Sequence, residues 1–455
     1  MAIDRSQLPL VGTPADLVFP PFTARTLDGG LRLRASRRPG LPIASVILVV
    51  PSGTASDPGH RHGLTSLTAG LMDEGAGGLD AIALHEAFAR LGTQLETDIG
   101  ADATTFGFTV VERHFEKALR LLGTVIAAPV FAPGDFTRER ELRLSRLLQM
   151  REMPPAIADR AMLSAVYGLH PYGHGALGEE GAIEAVTRDE VAAHHRDAFG
   201  STGATLIVCG DVADDRVEAA ASAAFASWHR GAAAAVAPPP RDPVNEIIVI
   251  HRPGAAQTEL RVARLSTTRM TKEYHALVVL NLALGGQFVS RINSKLREEK
   301  GYTYGARTGF DLRRGEGMFI CQSAVERDAT ADALNDIFGE IAAAAGPRPI
   351  DGAELERAKT SLARGFARGL ETIDQIARQA AQMALYGLAD EHVDRFIPHV
   401  RALTAADIQR AAAHWIWPAP YVAVAVGDAD RIQAPLEALG LAPVRRAGAA
   451  GSIEP

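Results

Sequence analysis

Short apolar blocks and longer amphipathic stretches succeed one another along the chain. Ile43–Val50 and Thr104–Val111 are runs rich in β-branched and aromatic residues, which predicts strands. The apolar spacing over 79–91 and 135–150 predicts helices. In the second half, 247–250 and 318–321 read as strands, and 351–386 reads as helical in one or two pieces. Strands and helices alternate without a strict βαβ rhythm, so the pattern favours α+β over a doubly wound parallel sheet.

The pattern also repeats. Thr187-Arg188-Asp189-Glu190-Val191 opens a helix-like stretch, and the apolar run 204–209 follows, stopped by Gly210-Asp211. Thr404-Ala405-Ala406-Asp407-Ile408 opens another, and the run 421–426 follows, stopped by Gly427-Asp428. Thr404 lies 217 positions after Thr187, and Gly427 lies 217 positions after Gly210. Each Thr reads as an N-cap, with an acid three residues on to complete a capping box. A weaker echo returns Val111-Glu112-Arg113 as Val325-Glu326-Arg327, 214 positions on. Two echoes at nearly one offset predict a duplicated domain. Between the copies, an alanine run and three consecutive prolines (238–240) interrupt any sheet and favour extended chain. The expected layout is a first domain over 1–228, a linker over 229–245 and a second domain over 246–455.

Composition narrows the function. Of 455 residues, 47% are hydrophobic and 22% charged, as in a folded protein, which excludes disorder and collagen-like repeats. The formal net charge of −7, with no basic stripe, argues against a nucleic-acid partner. Cys209 and Cys321 are too few for a disulfide framework and are not spaced as a zinc pair. The best apolar run, 276–284, is broken by Asn281 and falls short of the roughly 20 residues of a spanning helix, so no membrane span is expected. The first residues carry no basic region followed by an apolar one. Localisation stays open between cytoplasmic and, if a leader has been removed, periplasmic.

Several chemical signals fall away. His85-Glu86 starts an H-E-x-x-H pattern, but Ala89 stands where the second His belongs. His60 and His62 read as exposed loop residues, and the adjacent His194 and His195 as surface residues. Gly285-Gly286 is followed by neither a P-loop Lys nor the dinucleotide fingerprint, and no G-x-S-x-G elbow is present.

The segment from Gly53 to Gly92, GTASDPGHRHGLTSLTAGLMDEGAGGLDAIALHEAFARLG, reads differently. It resembles the N-terminal active-site region of the pitrilysin/insulysin superfamily of zinc peptidases, the inverzincins. The likeness is greatest to the branch of bacterial two-subunit peptidases and the mitochondrial processing peptidase. Gly63-Leu64 matches the start of the family's metal-binding helix and Leu91-Gly92 the end of a later one. The resemblance covers most of both halves, duplication included. It implies two α+β domains of about 210 residues. Each is a mostly antiparallel sheet packed with helices, and the two face one another like a clam shell.

Where the family places H-x-x-E-H, this chain has Ser66, Leu67, Thr68, Ala69 and Gly70. Two His at i and i+4 share a helix face and grip Zn²⁺ together, while the Glu polarises the attacking water. Ser66 and Gly70 carry no imidazole and Ala69 accepts no proton. The family's third ligand, a Glu, would fall near Ser145 or Arg146, with Glu139 and Glu141 close by. The expectation is therefore no metal in this chain and no peptide hydrolysis by it alone.

The stretch from Leu296 to Gly305, LREEKGYTYG, resembles the family's R-x-x-x-G-x-x-Y element. Arg297 sits in the last turn of a helix stopped at Gly301, and a β-prone Tyr302-Thr303-Tyr304 follows. In the family, Arg and Tyr reach across a cavity to the zinc site of the opposite domain. Arg offers a planar fork of donors to a peptide carbonyl, and a phenol in a dry site donates to an oxyanion. Gly285, Gly286 and Phe288 read as a flexible loop handling substrate entry, and the substrate-pairing sheet edge falls near 93–97. The resemblance thus implies the inactive subunit of a heterodimeric zinc metallopeptidase. Its partner is a homologous chain with intact H-x-x-E-H that carries the zinc, and its substrate is a peptide or unfolded protein. The competing class is a scaffold or peptide-binding protein with no part in turnover.

Overall fold

The computed structural model describes residues 17–232, 235–418 and 420–448. The first sheet contains β1 (Thr23–Thr26), β2 (Arg32–Arg37), β3 (Ile43–Val50), β4 (Glu96–Ile99), β5 (Thr104–Val111) and β6 (Thr205–Gly210). The second contains β7 (Glu246–His251), β8 (Gln257–Leu265), β9 (Thr303–Asp311), β10 (Met318–Glu326), β11 (Val422–Gly427) and β12 (Val444–Ala447). Their orders are β1-β2-β6-β3-β5-β4 and β12-β7-β11-β8-β10-β9. Five strands correspond one to one, in the same chain order, and both β2·β6 and β7·β11 are the parallel pair within otherwise antiparallel cores. The duplication is therefore one of topology as well as of sequence. The copies differ at one edge, where β1 lies antiparallel to β2 but β12 parallel to β7.

The repeated threonines act alike. Thr187 caps the helix Arg188–Ala198 and Thr404 caps Ala405–Trp415, each in a capping box closed by Glu190 or Asp407. The strands begin and end within a residue of expectation at 204–209 and 421–426, whereas β10 extends five residues beyond 318–321. The 351–386 stretch forms the helices Gly352–Phe366 and Ile373–Tyr386. Of the 229–245 stretch, residues 233 and 234 lie outside the described residues, and 235–245 contains no helix or strand.

One face of each sheet packs on helices of its own half, burying Leu48, Phe106, Leu119 and Leu206 in the first core and Val262, Phe319, Leu334 and Ile408 in the second. The opposite faces are covered by exchange. Helix Pro154–Tyr167 of the first half lies on the second sheet, placing Ile157, Met162 and Val166 against Ile248, Ile250 and Val424. Helix Ile373–Tyr386 of the second half lies on the first sheet, placing Ile376, Ala380 and Met383 with Ile47, Val49 and Ile207. This exchange explains why β3, β6 and β11 are apolar without alternation: both of their faces are dry.

A polar clasp adds to it. Asp102, in the β4–β5 turn, accepts from the Tyr172 hydroxyl at 2.5 Å and from the Arg314 backbone N–H at 2.8 Å. The Tyr172 oxygen in turn accepts from the Gly315 N–H at 3.0 Å, and Arg313 stacks over the same ring.

The apolar run 276–284 belongs to a longer helical stretch than its sequence suggests. Residues Tyr274–Glu299 are helical throughout apart from the Gln287–Ser290 break, and by length and hydropathy they pass as a candidate membrane span. More than half of the window is buried inside the protein, with Leu277, Leu280, Leu284 and Ile292 in the second core.

Candidate functional site

The degenerate metal motif lies on the helix Leu64–Leu71. Gly63 starts it at φ +98°, a conformation suited to Gly, and a Cβ there would meet Gly178 Cα and the Leu177 carbonyl oxygen at 2.8 Å. With no Ser, Thr, Asp or Asn at the cap position, the first turn is capped from a distance. Asp57 accepts from the Gly63 and Thr65 N–H groups at 2.5 and 2.6 Å. Its carboxylate is fully buried, with His174 Nδ1 at 3.8 Å. His174 stacks on His62, and His62 Nδ1 lies 3.0 Å from Glu179 Oε1. The hydrogen bond to Glu179 lifts the His62 imidazole above its ordinary range, while burial depresses that of His174.

Two expectations about histidines are corrected here. His62 is not a free loop residue, and His194 and His195 are buried rather than superficial. His194 Nε2 lies 2.9 Å from the Thr65 hydroxyl, and His195 Nε2 lies 2.9 Å from the Ile126 carbonyl oxygen. Adjacent helical residues diverge, so the pair wedges into two different neighbours instead of facing solvent.

Ser66, Ala69 and Gly70 present no ligand. The Ser66 hydroxyl donates to the Ala176 carbonyl oxygen and accepts from Arg143 Nη1. Arg143 comes from the helix Pro133–Met150, the segment where the third ligand of an inverzincin was sought. Its Nη2 lies 4.0 Å from where a Gly70 Cβ would stand. The guanidinium meets Ser66 and the Ala176 carbonyl oxygen and forms no ion pair among the described residues, and burial pulls its pKa down to about 10. A hydroxyl already engaged, a methyl, a hydrogen and a resident cation do not fit a zinc ion. The charge at this place is supplied by the chain itself. Sequence reading missed Arg143 because register alone drew attention to Ser145 and Arg146, which lie elsewhere on the helix surface.

The second-half residues fall on one small region. Helical turns over Ser294–Glu299 carry Arg297, Gly301 follows at φ +69°, and β9 begins at Thr303. Arg297 lies over the Phe288 ring, 4.2 Å from its centroid. Tyr304 sits at a β-bulge between Thr303 and Ala306, which re-aims the side chain, and it is 91% exposed. Asn293 builds this arrangement and was not foreseen. Its Nδ2 donates to the Phe288 carbonyl oxygen at 2.6 Å and its Oδ1 accepts from the Ala306 N–H at 3.0 Å, so one buried amide fixes both the Phe288 loop and the Tyr304 bulge. Nothing in its mostly polar surroundings, Ser290-Arg291-Ile292-Asn293-Ser294-Lys295, marks it out in the sequence.

Gly285 and Gly286 correct another expectation. They are not in a flexible loop but in the helical turn Leu282–Gly286, where a Cβ would meet Thr308 at 2.5 Å or Asn281 Nδ2 at 2.6 Å. They permit close packing of helix on strand. Arg297 and Tyr304 make no hydrogen bond or ion pair with the first half among the described residues. The edge near 93–97 is β4, Glu96–Ile99, the last strand of the first sheet. Beside it lies a cavity of about 700 Å³ lined by Thr97, Gly107 and Thr109, and bridged between the halves by Arg378 and Glu96 at 3.0 Å.

Two family profiles match this chain: "Insulinase (Peptidase family M16)" over residues 34–180 and "Peptidase M16 inactive domain" over 185–362. The chain belongs to peptidase family M16. An uncharacterised zinc protease of Mycobacterium leprae is 26% identical over 352 residues, 76% of this chain and 78% of the relative. A probable mitochondrial-processing peptidase subunit beta of Schizosaccharomyces pombe is 20% identical over 208 residues, 46% of each chain. Among solved structures, a peptidase M16 inactive domain from Pseudomonas fluorescens superposes with a TM-score of 0.85 at 24% identity, over 89% of this chain and 97% of that one. A protease from Helicobacter pylori follows at 0.82 and 18%, over 90% and 99%. The expected α+β fold of two M16-like domains is thereby borne out.

Proposed function

We propose that this M16 chain is the non-catalytic subunit of a heterodimeric zinc peptidase, acting on peptides or unfolded segments. The observation that carries the reading is the contrast between its two candidate sites. Arg143 fills the place of the metal, whereas Tyr304 stands exposed on the bulge that Asn293 ties to the Phe288 loop, where Arg297 lies over the Phe288 ring. A homologous chain with intact H-x-x-E-H would carry the zinc and the general base. Against a peptide held there, the Arg297 guanidinium would orient a carbonyl oxygen through its forked donors. The Tyr304 hydroxyl would donate to the oxyanion as the carbonyl carbon becomes tetrahedral, a contact stronger in the transition state than in the ground state. An exposed phenol gains strength as a donor only once a partner surface excludes water from it, which is the physical reason for action in trans.

A scaffold or peptide-binding role without turnover is the second reading. It is favoured by the self-satisfied polar groups of the first site, and a chain of complex III2 from Candida albicans shares the fold at a TM-score of 0.77. Mixing decides between them. The chain and an M16 partner bearing H-x-x-E-H are assayed on an unstructured fluorogenic peptide, apart and together. The subunit reading expects chelator-sensitive cleavage only in the mixture. Equal cleavage by the partner alone would leave the scaffold reading standing.

A further inference from the structure

The second half holds a cavity of about 630 Å³ that neither candidate site uses, opening between the segment before the helix Tyr274–Asn281 and the turn Asp390–His392. Its floor is cationic and short of counter-charge. The Arg269 guanidinium lies flat on the Tyr274 ring, 3.6 Å from the centroid, and its Nη2 donates to His392 Nε2 at 3.0 Å. Among the described residues no carboxylate lies within 4.0 Å of it, and burial pulls its pKa below the usual guanidinium range. Three imidazoles surround it: His275 stacks edge-on to His399 at 4.7 Å and lies 5.9 Å from His392. The buried His275 Nε2 has no hydrogen-bond partner among the described residues. Lys272 stands exposed at the rim.

Both acids on the wall are engaged elsewhere. Glu273 accepts from the Trp415 indole N–H and lies 3.8 Å from His414, while Asp407 completes the Thr404 capping box and pairs with Arg410. A half-buried guanidinium that lines a cavity and is opposed by no carboxylate among the described residues is the arrangement that binds planar or tetrahedral oxyanions.

We propose that this cavity is an oxyanion-binding site, with Arg269 as its anchor and His392 and Lys272 as its flanks, taking a small ligand through a phosphate or carboxylate group. The proposal does not depend on the peptidase-subunit reading. It carries a proton linkage as well. Burial, and then the neighbouring cations, hold His275 and His392 down to about 4, so both are neutral at pH 7. A bound anion offsets Arg269 and favours the imidazolium forms, so binding takes up protons and strengthens as the pH falls toward 5.

Calorimetric titration of the full chain in low-salt buffer tests this, using inorganic phosphate and succinate as separate probes at pH 7.5. Sulfate, whose charge is constant over the range, is the probe between pH 7.5 and 5. One saturable site is expected for at least one of phosphate and succinate, and which of them binds identifies the group. Sulfate affinity is expected to rise about ten-fold on acidification, a rise that His392→Gln reduces. Arg269→Met is expected to weaken binding at least ten-fold. Should its thermal melt show that it does not fold, Lys272→Glu at the exposed rim is expected to weaken binding about five-fold in its place. No saturable heat with either probe to 10 mM, or affinity unchanged in the folded substitution, would overturn the proposal.

Discussion

The two candidate sites of this chain differ in where their polar groups are satisfied. Around the helix Leu64–Leu71, Ser66 donates to Ala176, Arg143 donates to Ser66, Asp57 caps the helix and His194 meets Thr65. These four contacts are all made within the first half, while the Thr68 hydroxyl on the same helix is buried without a hydrogen-bond partner among the described residues. Around β9, the amide of Asn293 holds the backbone in place while Tyr304 and Phe288 project outward, 91% and 61% exposed. A buried polar group without a partner costs about 1–3 kcal/mol, so a site that has lost its metal must fill itself or destabilise the fold. An exposed phenol carries no such cost and can wait for a second protein. Closure on one side and projection on the other are what separates these two regions.

The sharpest way to break this comparison is to reopen the first site. Ser66→His, Ala69→Glu and Gly70→His together restore the motif but leave Arg143 in place. A guanidinium about 4 Å from a cation costs roughly 4 kcal/mol per unit charge at an effective dielectric of 20, on the order of 10³ in affinity. Zinc binding is therefore expected to be at least ~10³-fold weaker in that triple variant than in one that also carries Arg143→Glu. Equal zinc affinity by competition with a chromophoric chelator would show that Arg143 does not close the site.

Next in size is Tyr304→Phe. In the mixed enzyme the lost oxyanion donor is expected to lower kcat by ~10²–10³. The melting temperature of the chain should not move, because the side chain is 91% exposed. A fall in stability instead of rate would make Tyr304 a structural residue. The smallest effect is expected from Phe288→Ala, which removes the ring beneath Arg297. A cation–π contact at an exposed place is worth about 0.5–1 kcal/mol, so KM should rise roughly two- to five-fold with kcat nearly unchanged.

Much of the frame was legible in the chain. The 217-residue offset, the capping boxes at Thr187 and Thr404 and the Gly-Asp stops depend on neighbours a few residues apart, and local chemistry is what sequence patterns record. The loss of H-x-x-E-H was equally plain. Arg143 was not, because the register of a helix that packs 77 positions downstream is set by tertiary contact. Nor was Asn293, whose value lies in touching two segments at once. Gly285 and Gly286 read as part of a flexible loop, but only the approach of Thr308 and Asn281 shows that they make room for packing.

By itself, then, the sequence determined the duplication, the element types and the absence of H-x-x-E-H from 66–70, all properties of residue identity and of local patterns that recur along the chain. Tertiary structure decided that each half lends a helix to the other's sheet, that Arg143 reaches the Ser66 hydroxyl, and which side chains are left facing outward. These outcomes turn on burial and on distances between segments far apart in the chain, where the energy of a group depends on what surrounds it rather than on what precedes it.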